Sequence, residues 1–155
     1  MRILLLALIV AQLATDTIAQ DQVRGPATVT DGDTITVGQT QFRLHGVDAP
    51  ESGQTCNGPR AGVRSCGSDA ARLLSDLIAG QEVEWTRVGT ANDKYGRMIA
   101  VCRAGGRNLN AEIVARGLAW SYREYSADFN ACEDEAKKRG VGIWRAQQTM
   151  PPWEH

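Results

Sequence analysis

The sequence predicts an α+β fold: a small, partly closed five-stranded β-barrel carrying three α-helices. Three observations predict it. Short β-rich runs are separated by tight-turn signals, one amphipathic helical pattern interrupts them after the third run, and two helical patterns follow the fifth. Short strands with a helix inserted after the third suit a small barrel around a single core.

The first 19 of the 155 residues read as a leader rather than as fold. Arg2 gives a positive start, residues 3–13 are apolar except for Gln12, and Thr17-Ile18-Ala19 offers small residues where a signal peptidase cuts. The apolar run falls short of the about 20 residues that a membrane span needs. Cleavage after Ala19 leaves 155 − 19 = 136 residues, enough for one domain with one core. The expected organisation is a leader over 1–19, a folded domain over 20–145 and a tail over 146–155. The expected product is a secreted or periplasmic monomer that leaves the membrane once cleaved.

Residues 23–29 carry β-formers around a Gly25-Pro26 break, and Asp31-Gly32-Asp33 is a turn leading to a second strand over 34–37. Gly38-Gln39 makes a tight turn into a third strand over 41–47. Residues 50–67 form a loop rich in Gly, Pro, Ser and Asn. Ser68 can then cap a helix whose Ala70, Leu73, Leu74, Leu77 and Ile78 form one apolar stripe, with Gly80 as the stop. A half-buried fourth strand covers 82–88, with Val83 and Trp85 on one face. A polar connection over 89–96 leads to a fifth strand over 97–103. Asn108 or Asn110 caps a short helix that carries Ile113 and Val114 and ends at Gly117. Ser126 caps a last helix reaching Arg139, with Phe129, Cys132 and Ala136 inward. Its basic end, Lys137-Lys138-Arg139, suits the negative end of the helix dipole, and Gly140 closes it. The tail, with Pro151-Pro152, packs through Trp153.

Net charge is −1, and it stays so after cleavage because Arg2 and Asp16 leave together. No broad positive surface steers this chain onto a polyanion, so any grip on nucleic acid must be local. The four cysteines match no zinc spacing, and the only histidines are His45 and His155. An even count in an exported chain favours disulfides. Three pairings are possible; the favoured one joins Cys56 to Cys66 across the Gly/Pro-rich loop, and Cys102 to Cys132 between a strand and the last helix.

Two acidic strings stand out. Asp31-Gly32-Asp33-Thr34 enters the second strand, and Asp48-Ala49-Pro50-Glu51 leaves the third. Each alone reads as ordinary turn chemistry. Together they set carboxylates at strand ends that a hairpin brings near each other. Clustered carboxylates repel unless a cation neutralises them, and oxygen ligands without His or Cys point to a hard ion, calcium before magnesium. Arg43 lies five residues before Asp48, and Lys94-Tyr95-Gly96-Arg97 enters the fifth strand. A lone strand arginine is usually a solvated or salt-bridging residue. Two guanidiniums beside a carboxylate-bound metal instead make a fork for phosphate oxygens.

The strings Asp31-Gly32-Asp33-Thr34, Phe42-Arg43-Leu44 leading to Val47-Asp48-Ala49-Pro50-Glu51, and Asp93-Lys94-Tyr95-Gly96-Arg97 resemble the staphylococcal-nuclease (thermonuclease) family. Asn110 through Leu118 and Gly142-Ile143-Trp144 extend the resemblance, in the family's order, over most of the mature chain. The resemblance implies a five-stranded OB barrel and a calcium-dependent nuclease that cleaves the 5′ P–O bond of DNA or RNA to leave 3′-phosphates. It implies that Asp33 and Asp48 bind calcium with a backbone carbonyl at Ala49. Glu51 is implied as the general base for the attacking water, and Arg43 and Arg97 as the clamp on the scissile phosphate. Lys94 and Tyr95 would line the nucleotide pocket, and Tyr122 or Tyr125 would stack a base or else pack as core and rim.

The sequence departs from the family pattern in several places. The loop after Glu51 carries Cys56 and Cys66 where a flexible lysine-bearing segment is usual, the charge is near zero, and a Pro151-Pro152-Trp153 segment is added. Tyr122 falls one position from the expected stacking tyrosine. Two other readings compete: a catalytically silent OB module that holds nucleic acid or protein, and an exported accessory protein from an exopolysaccharide gene neighbourhood. The presence of Glu51 with Arg43 and Arg97 speaks against the silent module. His45 has no histidine partner within the fold, which disfavours a histidine–metal nuclease.

Overall fold

The computed structural model describes residues 24–58, 62–145, 151 and 153; the expected leader, and all of the expected tail but Pro151 and Trp153, lie outside the described residues. The chain opens with β1 (Arg24–Asp31), β2 (Thr34–Val37) and β3 (Thr40–Leu44), an antiparallel meander. Gly38, at φ 60°, makes the turn between β2 and β3 in a conformation that costs a side chain-bearing residue. A two-residue strand β4 (Val47–Asp48) follows, then a hairpin of β5 (Thr55–Gly58) and β6 (Gly62–Ser65), and α1 (Cys66–Ile78). Next come β7 (Glu82–Arg87), β8 (Met98–Ala104), β9 (Arg107–Asn108), α2 (Leu109–Ala115), β10 (Trp120–Ser121) and α3 (Asn130–Arg139).

β1 pairs with β7, β7 with β8, and β8 runs parallel to β3, which closes β3-β2-β1-β7-β8 into a five-stranded mixed barrel. Ile35, Phe42, Leu44, Val83 and Ala100 are fully buried within it, and Trp85 packs on Phe42 with ring centroids 4.6 Å apart. The stripe on α1 buries Ala70, Leu74, Leu77 and Ile78, so the helix plugs the barrel as its periodicity predicts.

Three differences from the sequence reading matter for the site. The third strand is not continuous to Val47: Gly46, at φ 65°, breaks it after Leu44, and Val47-Asp48 re-pairs with Trp120-Ser121. A side chain at Gly46 would run into Ser126 and Phe129, so the chain turns where the last helix approaches. The 50–67 loop contains the β5–β6 hairpin, and α1 starts at Cys66, before Ser68. The α3 helix starts at Asn130; Ser126 instead accepts a 3.1 Å hydrogen bond from the Asp128 amide in the turn ahead of it.

Cys56 and Cys66 form a disulfide that closes the hairpin onto the start of α1. The expected Cys102–Cys132 bridge is not formed, and both thiols are free. Cys102 lies fully buried on β8, and α2 packs against β8 and against α3, so strand and helix are joined through that helix and not by a bond. Burial pushes the Cys102 thiol up to about 12, which keeps it protonated and unreactive. Asn110, also fully buried, accepts from the Cys102 amide at 3.0 Å and donates to the His45 and Ala100 carbonyls at 2.9 and 3.2 Å. It thereby fixes the His45-Gly46 turn to the barrel.

Candidate active site

The β2–β3 register sets Thr34 opposite Arg43, and the β3–β8 register sets Arg43 opposite Ile99, two residues beyond Arg97. Arg43 and Arg97 therefore approach Asp33, at the entrance to β2, from neighbouring strands. One Arg43 Nη donates to Asp33 Oδ2, and the other donates to Asp48 Oδ1 at 2.6 Å. Arg97 Nη1 donates to Thr34 Oγ1 at 2.8 Å and lies 3.9 Å from Asp33 Oδ1, while Thr34 Oγ1 donates to that same oxygen at 2.9 Å. Gly32 lets the turn ahead of Asp33 pack closely on α1 and the chain after β4: a Cβ there would collide with the side chains of Ala49 and Ala70.

The electrostatics follow from burial. Loss of water pushes the Asp33 carboxyl up to about 7, against the pull of the Arg43 guanidinium. Burial by itself lowers the Arg43 guanidinium, but Asp33 and Asp48 more than offset it and raise it above its ordinary value. Arg43 is thus a fixed cation between two buried carboxylates. Asp93 is held below its ordinary value: burial works against this, but the Arg97 and Tyr95 amides and the Arg97 guanidinium all donate to it. The Arg97 Nε contact to Asp93, at 2.7 Å, aims that guanidinium at Thr34.

One open cleft is lined by Asp33, Arg43, Asp48, Glu51, Lys94, Tyr95, Arg97, Tyr122 and Tyr125. It thus gathers nine of the residues singled out in the sequence. Ala49 is the exception: it is buried in the barrel core, where its methyl packs under Gly32. Glu51 stands exposed on its loop. Among the described residues no three His, Cys, Asp or Glu side chains gather tightly enough to hold an ion. Asp33 and Asp48 do meet, across Arg43. Their donors, with the hydroxyl of Thr34 and nearby backbone carbonyls, are all oxygen, a set that fits a hard divalent cation such as calcium.

Glu51 is fixed through its backbone. Its amide donates to Gln54 Oε1 at 3.1 Å, and its carbonyl accepts from the Gln54 amide at 2.7 Å. Gly67, in the first turn of α1, lies so close that any Cβ would overlap the Glu51 carbonyl. The loop carrying Glu51 is therefore wedged between the hairpin and the helix.

The opposite wall is aromatic. Tyr122 and Tyr125 meet edge to face at 4.7 Å, and Trp153 stacks on Tyr122 at 5.2 Å with the planes 4° apart. Tyr95 is exposed and carries Lys94 and Arg97 over its ring at 5.0 and 5.2 Å. Sequence reasoning missed Thr34 and Asp93 as the groups that orient Arg97. The spacing of Asp93 four residues before Arg97 is the signal that was available. It also missed Trp153 as a lining residue, because nothing in the sequence says where the tail returns.

Comparison with known proteins finds a family match and several relatives. The family model described as Staphylococcal nuclease homologue matches residues 41–146. A protein of Shigella flexneri named micrococcal nuclease is 37% identical over 81% of this chain and 75% of its own length. The succinoglycan biosynthesis protein ExoI of Rhizobium meliloti is 34% identical over 91% and 75%. A Haemophilus influenzae protein named an uncharacterized endonuclease is 31% identical over 80% and 67%.

Proposed function

This chain belongs to the family of staphylococcal nuclease homologues, and we propose that it is a calcium-dependent nuclease acting on DNA, RNA or both. The observation that carries this reading is the pair of guanidiniums on either side of Asp33, in a cleft that also holds Glu51. Fixed donors of this kind hold a phosphodiester through its non-bridging oxygens. They also answer the negative charge that builds there as water attacks.

In this reading Glu51 takes a proton from a water molecule as its oxygen bonds to phosphorus. The bond from phosphorus to the 5′ oxygen breaks, and that oxygen takes up a proton from solvent. The products are a 3′-phosphate and a 5′-hydroxyl. Arg43 and Arg97 hold the phosphate in line and stabilise its charge. Asp33, Asp48 and the Ala49 carbonyl would hold calcium, which when bound would supply a Lewis acid and a counter-charge for the reacting phosphate. Lys94 and Tyr95 bind the sugar–phosphate chain, and Tyr122 and Tyr125 contact a base. Arg43 bridges Asp33 and Asp48, which fixes its guanidinium at the mouth of the site.

We place the enzyme outside the cytoplasm, as a monomer. The disulfide at Cys56–Cys66 supports an oxidising compartment. No helix among the described residues is long and apolar enough to cross a membrane. The test is digestion of plasmid and single-stranded DNA by the mature chain with calcium, then with a calcium-specific chelator. Calcium-dependent cutting is expected, and cutting that survives the chelator contradicts the cofactor. The name of the Rhizobium relative concerns succinoglycan biosynthesis; no cutting of any nucleic acid would leave an exported accessory role as the better reading.

A further inference from the structure

Trp153 comes from a tail whose only other described residue is Pro151, yet its ring is firmly seated. One face stacks on Tyr122, and its edge meets the buried ring of Trp120 at 6.2 Å and 72°. Trp120 in turn belongs to a small core with Ile143 and the Cys56–Cys66 disulfide. A side chain tethered at two sides has little freedom left to lose on binding, but 47% of Trp153 is still exposed, and it lines the same cleft as the two arginines.

The charge balance says what such a ring is for. The cleft cations Arg43 and Arg97 are engaged with Asp33, Asp48 and Asp93, and the whole chain carries −1. Diffuse attraction to a polyanion is therefore weak, and contacts that do not depend on net charge add to what the local cations hold. Exposed ring faces are such contacts, and they suit unpaired bases, because in a duplex both faces of each base are already stacked.

We propose that Trp153 is a substrate-binding residue that stacks an unpaired nucleobase, continuing the Tyr122–Tyr125 wall. The proposal rests on the nuclease reading, and its test is chosen to separate the two. Binding is measured in a Glu51→Gln background with calcium, using a fluorescent thymidine octamer and an abasic octamer of the same sugar–phosphate chain. Trp153→Ala weakens binding of the thymidine octamer by about tenfold, at the lower part of the range for one base–aromatic stack. Trp153→Phe recovers most of the loss. Neither substitution changes binding of the abasic octamer or the slope of affinity against salt, because no phosphate contact is removed. In otherwise wild-type protein the loss falls on KM for single-stranded substrate, with little on duplex.

Equal or tighter thymidine binding by Trp153→Ala overturns the proposal, since the ring would then only cover Tyr122. An equal loss on the abasic chain also overturns it, since the ring would then brace the cleft. So does a thymidine octamer that does not bind at all. If the wild-type chain cuts no nucleic acid, the nuclease reading fails whatever the octamers do. If it cuts but Trp153→Ala matches it on both octamers, only the stacking role fails.

Discussion

The two sides of the cleft hold their functional groups by different means. On the barrel side, Asp33, Arg43 and Arg97 sit on or beside neighbouring strands, and each is fixed by side-chain hydrogen bonds to the others or to Thr34 and Asp93. On the other side Glu51 has an exposed side chain, and only its backbone is pinned, by Gln54 and by the close approach of Gly67. The first side rests on the main core. The second rests on the small core of Cys56, Cys66, Trp120 and Ile143. The difference fits the proposed chemistry: phosphate clamping needs fixed charge, whereas a base that handles water must stay solvated. It also means that the two sides respond to different lesions.

The largest effect is expected on the barrel side. Arg43→Ala removes the cation between two buried carboxylates. Turnover falls by about 10³-fold, in the range for losing a donor to transition-state charge. Without calcium, stability falls by about 3 kcal/mol, because Asp33 and Asp48 lose their counter-charge. Denaturant unfolding with and without calcium checks this, and an unchanged midpoint would show that the carboxylates need no cation.

Gly67→Ala strikes the other side. The added methyl forces the Glu51 loop away while the barrel keeps its contacts. A shift near 1 Å is enough for about 10²-fold in turnover, with a stability cost of about 1–3 kcal/mol from overpacking. The stability loss is the same with and without calcium, unlike that of Arg43→Ala; a loss that calcium restored, or turnover equal to wild type, would show that the two sides are not separable.

The smallest effect on turnover is expected for the double change Cys56→Ser with Cys66→Ser. Opening this short loop costs about 2–3 kcal/mol of stability, mostly through a freer unfolded chain. Because the disulfide lies under Trp120, KM rises several-fold more than kcat falls. Thermal melts and steady-state kinetics test both statements; an unchanged melting temperature would mean that the bridge does not support the second core.

The two sides also differ in how legible they were. Arg43, Asp33 and Asp48 could be read from the sequence because strand alternation and turn residues locate them within a few positions. The five barrel strands and the α1 stripe follow from local periodicity of the same kind. The disulfide side depends on contacts between residues far apart in the chain. Val47-Asp48 pairing with Trp120-Ser121 is two residues long and leaves no pattern, and the β5–β6 hairpin pairs Gly58 with Gly62 inside a stretch that reads as loop. Glu133 was missed for the same reason. It is 2% exposed and accepts from the Ser121 amide, Arg123 and Lys137, a buried carboxylate in a helix face that looks solvated in sequence. Cys102 and Cys132 erred the other way: an even count suggested a bond that the packing of α2 on strand and helix does not provide.

The most direct test of the central claim, that this cleft is one hydrolytic centre, is the single-turnover rate of Glu51→Gln on single-stranded DNA with calcium, read beside its melting temperature. The account predicts a loss of about 10²–10⁴-fold, the range for removing a general base, with no change in melting, because the Glu51 side chain is exposed and the backbone bonds remain. A rate equal to wild type would remove Glu51 from the reaction and, with it, the claim that loop and barrel act on the same phosphate.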